Sequence, residues 1–185
     1  MAWTTPRTWT AGETVTAALM NTHVRDNTAF LKAIADNFAP VPACRVYRTN
    51  TQSIPNNTWT AISFGLEEFD TDTMHSSITN PERITIRTAG IYQIFGTVSF
   101  DPNATGVRAA CITHNGSTVP DDGIVFCSQS GNATANHLPP LSVLKSCAAT
   151  DILRFYVFQN SGGALDVSVS TITPFFSAVY QGSAS

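Results

Sequence analysis

Charged side chains are scarce, because Asp, Glu, Lys and Arg make up only 12% of the 185 residues. The formal net charge is −3 at pH 7, so the chain lacks the basic surface that nucleic-acid binding requires. No apolar run approaches the roughly 18 residues that span a bilayer, and membrane insertion is not expected. The segment from Met1 to Thr10 has no basic region followed by an apolar stretch and does not resemble a secretory signal peptide.

Motifs for catalysis and for bound metals are also missing. The sequence has no HExxH, CxxC or GxSxG element, and an enzyme needs a nucleophile beside a base, paired carboxylates or a metal cluster. The densest polar cluster, Glu67 to His75, is interpreted as a solvated loop. We therefore predict a protein that is not an enzyme, with no catalytic residue, metal or cofactor. Its four cysteines are predicted to be buried free thiols, with one or two disulfides as the alternative: Cys44, Cys111, Cys127 and Cys147.

Hydroxyl-bearing and β-branched residues take the place of charges, and 43% of the residues are hydrophobic. This composition favours sheet. From residue 43 onwards, turn signals such as Asn115-Gly116 separate about ten short apolar runs, a spacing typical of a sandwich or jelly roll. The predicted strands are Ala43–Thr49, Thr58–Phe64, Arg83–Thr88, Gly90–Asp101, Val107–His114, Ile124–Ser128, Leu141–Ala148, Ile152–Gln159, Leu165–Ser170 and Pro174–Gln181.

Residues 1–42 differ from the rest and are predicted to be an extended arm, one helix and a proline linker. The arm carries Trp3 and Trp9, which must pack on the domain, on a second subunit or on a larger partner. The helix is predicted from about Thr16 to Phe38, where neither proline nor glycine occurs. Its apolar stripe has the heptad spacing of a self-associating helix, with Asn27 able to fix the register: Ala17, Met20, Val24, Asn27, Leu31, Ile34 and Phe38. The alternative is an amphipathic helix lying on its own domain.

Several predicted strands are apolar on both faces, whereas a half-exposed antiparallel strand should alternate. One face can meet the partner sheet, and the other then needs a second subunit. Together with the helical stripe this predicts self-association into more than two copies, and the strand residues assigned to the contact are Tyr92, Phe155, Tyr156 and Phe176. The alternative is a thick core covered by long loops.

The run of motifs from Phe69 to Gly116 resembles the C1q/TNF-like jelly roll, above all its versions in phage and bacterial surface proteins. The elements that carry the resemblance are Phe69-Asp70-Thr71, Asn80-Pro81, Gly90-Ile91-Tyr92, Gly106-Val107-Arg108 and Asn115-Gly116. The resemblance implies a homotrimer packed through aromatic strand faces, and covers most of 43–182. A collagen-like Gly-X-Y stalk is absent from the sequence, so a short appendage is expected.

The N-terminal stretch resembles the opening segment of many tailed-phage structural proteins, in Trp3 to Trp9, Gly12-Glu13, Leu19-Met20-Asn21 and Val24 to Asn27. With the jelly roll, this implies a non-enzymatic virion protein, a capsid decoration, head fibre or tail fibre assembled in the bacterial cytoplasm. Its docking residues on capsid or tail proteins would be Trp3, Pro6, Arg7 and Trp9.

Contact with a host-surface glycan or protein is a further expectation. Trp59 beside Asn56 and Asn57 is the best local candidate for a sugar site, although a core tryptophan is the plainer interpretation. Two other functions stay open: a secreted or cell-surface C1q-like binding module of a bacterium, and, less favoured, a glycan-degrading enzyme.

Overall fold

The computed structural model describes residues 3–36, 40–116, 118–119, 121–170 and 172–184. The chain divides into two units, Met1–Val41 and Pro42–Ser185. The first is built around one helix and the second from β-strands. Phe38, the last residue of the predicted helical stripe, lies outside the described residues.

The helix of the first unit begins after Thr16, whose side-chain oxygen accepts a hydrogen bond from the Leu19 N–H at 3.3 Å. It continues through α1 (Ala17–Met20), a π-helical segment (Asn21–Asp26) and α2 (Asn27–Asp36). A π-helical turn accommodates one extra residue, which rotates the following side chains by about 100° relative to a straight α-helix. None of the described helices is long and apolar enough to cross a membrane.

The second unit has fourteen strands among its described residues, all paired antiparallel. They are β1 (Ala43–Tyr47), β2 (Gln52–Ile54), β3 (Thr60–Ala61), β4 (Leu66–Asp70), β5 (Arg83–Thr85), β6 (Gly90–Thr97), β7 (Ser99–Phe100), β8 (Asn103–His114), β9 (Gly123–Asn132), β10 (Asn136–His137), β11 (Leu141–Cys147), β12 (Ile152–Gln159), β13 (Leu165–Ser168) and β14 (Phe175–Gly182).

These strands form three sheets around one hydrophobic core. The first is β11–β6–β14–β1–β4, and the second is β3–β12–β8–β9 with β5 also paired to β12. Four short strands make the third, in the order β10–β7–β13–β2. Fully buried aromatic and aliphatic side chains from all three sheets fill the core, among them Ile54, Ile94, Phe100 and Val157. The predicted mainly-β sandwich is confirmed.

The segment from Leu66 to Asp70 corrects the sequence interpretation. Its residues from Glu67 onwards belong to the polar cluster Glu67 to His75, which was predicted to be a solvated loop between strands. In the structure this segment is β4, an edge strand that pairs with β1. Charged side chains suit an edge strand because they discourage pairing with another chain.

Candidate functional site

One face of the sheet β11–β6–β14–β1–β4 points away from the core and carries aromatic side chains. We call it the aromatic face. Its members are half-buried or exposed in the chain: Tyr47, Leu66, Phe69, Phe95 and Phe175. Alternation along each strand separates this set from the core, so that Phe175 points outward and its neighbour Phe176 inward.

Phe175 lies at the centre of the aromatic face. Its ring stacks on Phe95 of β6, with centroids 5.5 Å apart and an interplanar angle of 14°. The guanidinium carbon of Arg45 lies 4.0 Å from the centroid of the Phe175 ring, and Arg45 forms an ion pair with Glu68 at 2.9 Å. A cavity of about 290 Å³ opens beside these groups, lined also by Tyr47 and Thr173.

Three of the predicted trimer contacts lie inside the core and not on this face. Tyr92, Phe155 and Phe176 have no exposed surface. Phe155 and Phe176 stack with centroids 5.8 Å apart, and the Tyr92 hydroxyl donates to the Thr88 carbonyl at 2.7 Å. These three side chains therefore cannot touch a second copy of the chain. Phe95 of β6 and Phe175 of β14 occupy half-buried outward positions instead.

The fourth predicted strand contact, Tyr156, lies on the outer side of the opposite sheet. It is half-buried between its register partners Ala61 and Cys111. The structure therefore does not bring Tyr156 together with the aromatic face, and its contact with a second copy stays a prediction.

The predicted sugar-binding residues lie in the connection between β2 and β3, just before β3 joins that same opposite sheet. Trp59 is half-buried. Its ring packs against Phe158, with centroids 5.4 Å apart, and against Phe126, with centroids 6.1 Å apart.

The two asparagines beside Trp59 make hydrogen bonds within the chain. The side-chain oxygen of Asn56 accepts from the Gly162 N–H at 2.9 Å, so this atom is bound to the loop between β12 and β13. Asn57 has a positive φ of 57° and donates its N–H to the Gln159 carbonyl. Glycan contact at these residues stays a prediction.

The predicted docking residues form a folded arm, because Asn27 holds the arm against the helix. Asn27 is only 5% exposed. Its amide group donates to the Thr4 carbonyl at 2.8 Å, and its side-chain oxygen accepts from the Thr4 N–H at 3.0 Å. Trp3 consequently packs on Phe30, with ring centroids 5.8 Å apart.

The second tryptophan of the arm is held in a similar way. Trp9 packs edge-on against His23 at 6.3 Å, and the Arg7 guanidinium lies 4.8 Å from the centroid of the Trp9 ring. Arg7 also pairs with Glu13. Both tryptophans keep about two fifths of their surface exposed, and Pro6 is exposed as well. Virion docking through these residues stays a prediction.

The apolar stripe of the helix is exposed but is not one straight heptad seam. Met20, Val24, Leu31 and Ile34 are each between 38% and 53% exposed. The π-helical segment lies between Met20 and Leu31 and rotates the two halves of the stripe relative to each other. Asn27 was predicted to fix register between helices, but its amide is occupied by Thr4.

Replacing Asn27 with alanine should release the arm. The change removes both hydrogen bonds to Thr4, which together contribute roughly 1–3 kcal/mol. In a Trp59→Phe background the tryptophan fluorescence comes from the arm alone, and we expect the quenching of this fluorescence by acrylamide to increase. Thr28→Ala, an exposed neighbour on the same helix, is the matched control. Equal quenching in the Asn27 and Thr28 variants would contradict this role.

All four cysteines are unpaired in the structure, as predicted. Cys44, Cys111 and Cys147 are buried and Cys127 is half-buried. Burial raises the pKa of the Cys111 thiol, and that of Cys147, to about 11 in each case. These thiols therefore stay protonated at neutral pH and are poor nucleophiles.

Comparison with known proteins addresses the fold. No protein-family model matches the sequence, and no curated protein matches it. Among solved structures, Eiger TNF from S. frugiperda superposes with a TM-score of 0.59 at 11% identity, covering 79% of this chain and 96% of that chain. Murine APRIL superposes with a TM-score of 0.57 at 14% identity, covering 75% of this chain and 98% of that chain. The globular domain of zebrafish complement 1qA superposes with a TM-score of 0.52 at 11% identity, covering 74% of this chain and 94% of that chain. The chain therefore has a C1q/TNF-like jelly-roll fold, as its motifs implied.

Proposed function

We propose that this chain is a non-enzymatic structural protein of a bacteriophage particle. It is a homotrimeric appendage of the capsid or tail, docked through residues 1–42, and it presents its jelly roll outward to the host surface. The observation that carries the proposal is the aromatic face of the sheet β11–β6–β14–β1–β4, where Leu66 and Phe69 are exposed and Phe95 and Phe175 are half-buried. Apolar surface of this kind marks an association site.

The arrangement of this sheet favours self-association. The aromatic face lies over β6, β14, β1 and β4, and the edge strand β11 adds Leu144, which is 60% accessible. Leu144 lies opposite Gln93, which faces the same side of β6 as Phe95, so it extends the apolar surface to the edge of the sheet. The C1q/TNF-like resemblance implies closure at three copies.

Docking through the first unit is supported by its exposed anchors. Trp3 and Trp9 are fixed in place by Asn27, Phe30 and His23 while part of each ring stays accessible. Large aromatic side chains of this kind carry much of the binding energy at protein interfaces. The helix carries exposed apolar residues of its own, and a capsid or tail protein is the partner that the N-terminal resemblance implies.

The proposal is tested on phage particles from the host that carries the gene. We expect the intact chain in particles purified by density gradient, at a fixed ratio to the major capsid protein by quantitative mass spectrometry. Trp3→Ala/Trp9→Ala should leave the protein soluble in the lysate but remove it from particles, whereas Trp59→Phe should not.

Particles that lack the wild-type chain while the lysate contains it would overturn the virion role. Recovery of the chain from the medium of bacteria without phage particles would instead favour the bacterial binding module. Genes for capsid or tail proteins beside the coding gene would agree with the virion role before any particle is purified.

A further inference from the structure

Three side chains with different metal-binding atoms meet where β8, β11 and the start of β12 come together. They are His114 at the end of β8, Cys147 at the end of β11, and Asp151 just before β12. One ligand atom from each lies within 4.8 Å of the other two. We infer that His114, Cys147 and Asp151 form a binding site for a divalent cation of the zinc type.

The donor set and its spacing fit such an ion. Zn²⁺ binds thiolate, imidazole and carboxylate in a tetrahedron, with bonds of about 2.0–2.3 Å, so its ligand atoms lie roughly 3.3–3.8 Å apart. In the structure Nε2 of His114 lies 2.7 Å from Oδ2 of Asp151, a hydrogen bond. Ion binding therefore requires this pair to separate by less than about 1 Å, with the ring proton carried on Nδ1.

The Asp151 carboxylate is already oriented by neighbouring groups. Asn115 donates its side-chain N–H to Oδ1 at 2.7 Å, and the Ala148 N–H donates to Oδ2 at the same distance. The carboxylate is thus held in one orientation, as outer-shell partners do at metal sites.

Cys147 supplies the selective ligand. Its side chain is buried, and the thiol contacts the Lys145 carbonyl at 3.7 Å, a weak hydrogen bond. When the cation binds, the S–H bond breaks, the metal–sulfur bond forms and the proton passes to solvent. His114 and Asp151 each keep a small exposed fraction, 18% and 14% of the side chain, through which a water can complete the tetrahedron.

The test uses the full chain without a polyhistidine tag, reduced and freed of metal by a chelator. Titration with Co²⁺ should produce one equivalent of binding per chain and a sulfur-to-cobalt charge-transfer absorption, which Zn²⁺ then abolishes by displacement. Zn²⁺ should also raise the thermal midpoint. Absence of any thiolate–cobalt absorption from the wild-type chain would overturn the inference.

Two cysteine variants provide the matched comparison. Cys147→Ser should lose the charge-transfer absorption, whereas Cys127→Ser should retain it, because the Cys127 sulfur contacts the Pro139 carbonyl elsewhere. His114→Gln should weaken Co²⁺ binding by about tenfold or more, since even outer-shell changes cost 10–100-fold. Should Cys147→Ser fail to fold, the His114 variant and the wild-type spectrum still decide. Unchanged affinity in His114→Gln, or loss of the absorption in Cys127→Ser alone, would overturn the inference.

Discussion

Replacing Phe155 with alanine is expected to lower the free energy of unfolding by about 3–5 kcal/mol, the range for a fully buried aromatic side chain. Phe155 has no exposed surface and stacks on Phe176, which in turn stacks on Phe64 with centroids 6.1 Å apart. The backbone of β6 also approaches its ring, because a Cβ added at Gly96 would lie 3.2 Å from it. Such close packing leaves little room for the core to collapse around the cavity.

Urea unfolding monitored by circular dichroism measures this loss, at one fixed protein concentration because association would add to stability. Phe126→Ala is the matched control. Phe126 is also a phenylalanine of the β3–β12–β8–β9 sheet, but 51% of it is exposed, and its truncation should cost only about 1 kcal/mol. A loss for Phe155→Ala no greater than for Phe126→Ala would contradict the packing described here.

Replacing Phe175 with aspartate is expected to reduce the solution mass from three chains to one. The substitution places a carboxylate at the centre of the aromatic face, and taking this charge out of water between subunits costs several kcal/mol per copy. Within one chain the same carboxylate stays near solvent and close to Arg45, so the monomer should keep its fold. Light scattering on the full chain measures the mass, and circular dichroism checks the fold.

Controls on other surfaces separate the possible contacts. Phe126→Asp, on the opposite sheet, should leave the mass at three chains. A double change of Leu31 and Ile34 to polar residues tests the helix, and it should weaken assembly if the stripe contributes to the trimer. Monomeric wild-type protein would contradict the trimer outright, and a trimer that survives Phe175→Asp would exclude the aromatic face as its contact.

Strand positions could be predicted from the sequence, but strand faces could not in every case. Turn residues and apolar runs located most of the long strands, including β6, β12 and β14. The strand Ile152–Gln159 is bulky at nearly every position, so its sequence alone does not indicate which alternate set faces the core. Shifting the assignment by one residue exchanges the two faces of a strand. The same ambiguity affects β14: Phe176 was predicted to contact a second subunit, but in the structure Phe175 faces outward and Phe176 lies in the core.

The helix shows a different limit. The stretch without proline or glycine predicted where the helix begins, and the exposed stripe exists. The π-helical segment has no signature in the apolar spacing, so the sequence implied a straight seam. The role of Asn27 depends on Thr4, which lies far away in the chain, and a heptad pattern gives no information about such a partner.

A search for sequence motifs could not find the cluster of His114, Cys147 and Asp151. Cys147 and Asp151 lie close in sequence, but His114 joins them only because β8 and β12 pair side by side, with His114 opposite Leu153. Known metal motifs place their ligands at fixed short spacings, whereas this set is assembled by sheet topology. The sequence prediction of no metal was therefore based on local spacing alone.

The pairing of β1 with β14 has a consequence for how this protein folds. Ala43 lies opposite Val179, so the first and last strands of the second unit are neighbours at the centre of one sheet. A ribosome must release almost the whole unit before β1 can find this partner, and closing so long a loop is slow. We expect refolding on the order of milliseconds to seconds, the range for sheet proteins dominated by distant pairings. Until β14 arrives, β1 has an unpaired edge, and during that interval the growing chain is most open to aggregation with its neighbours.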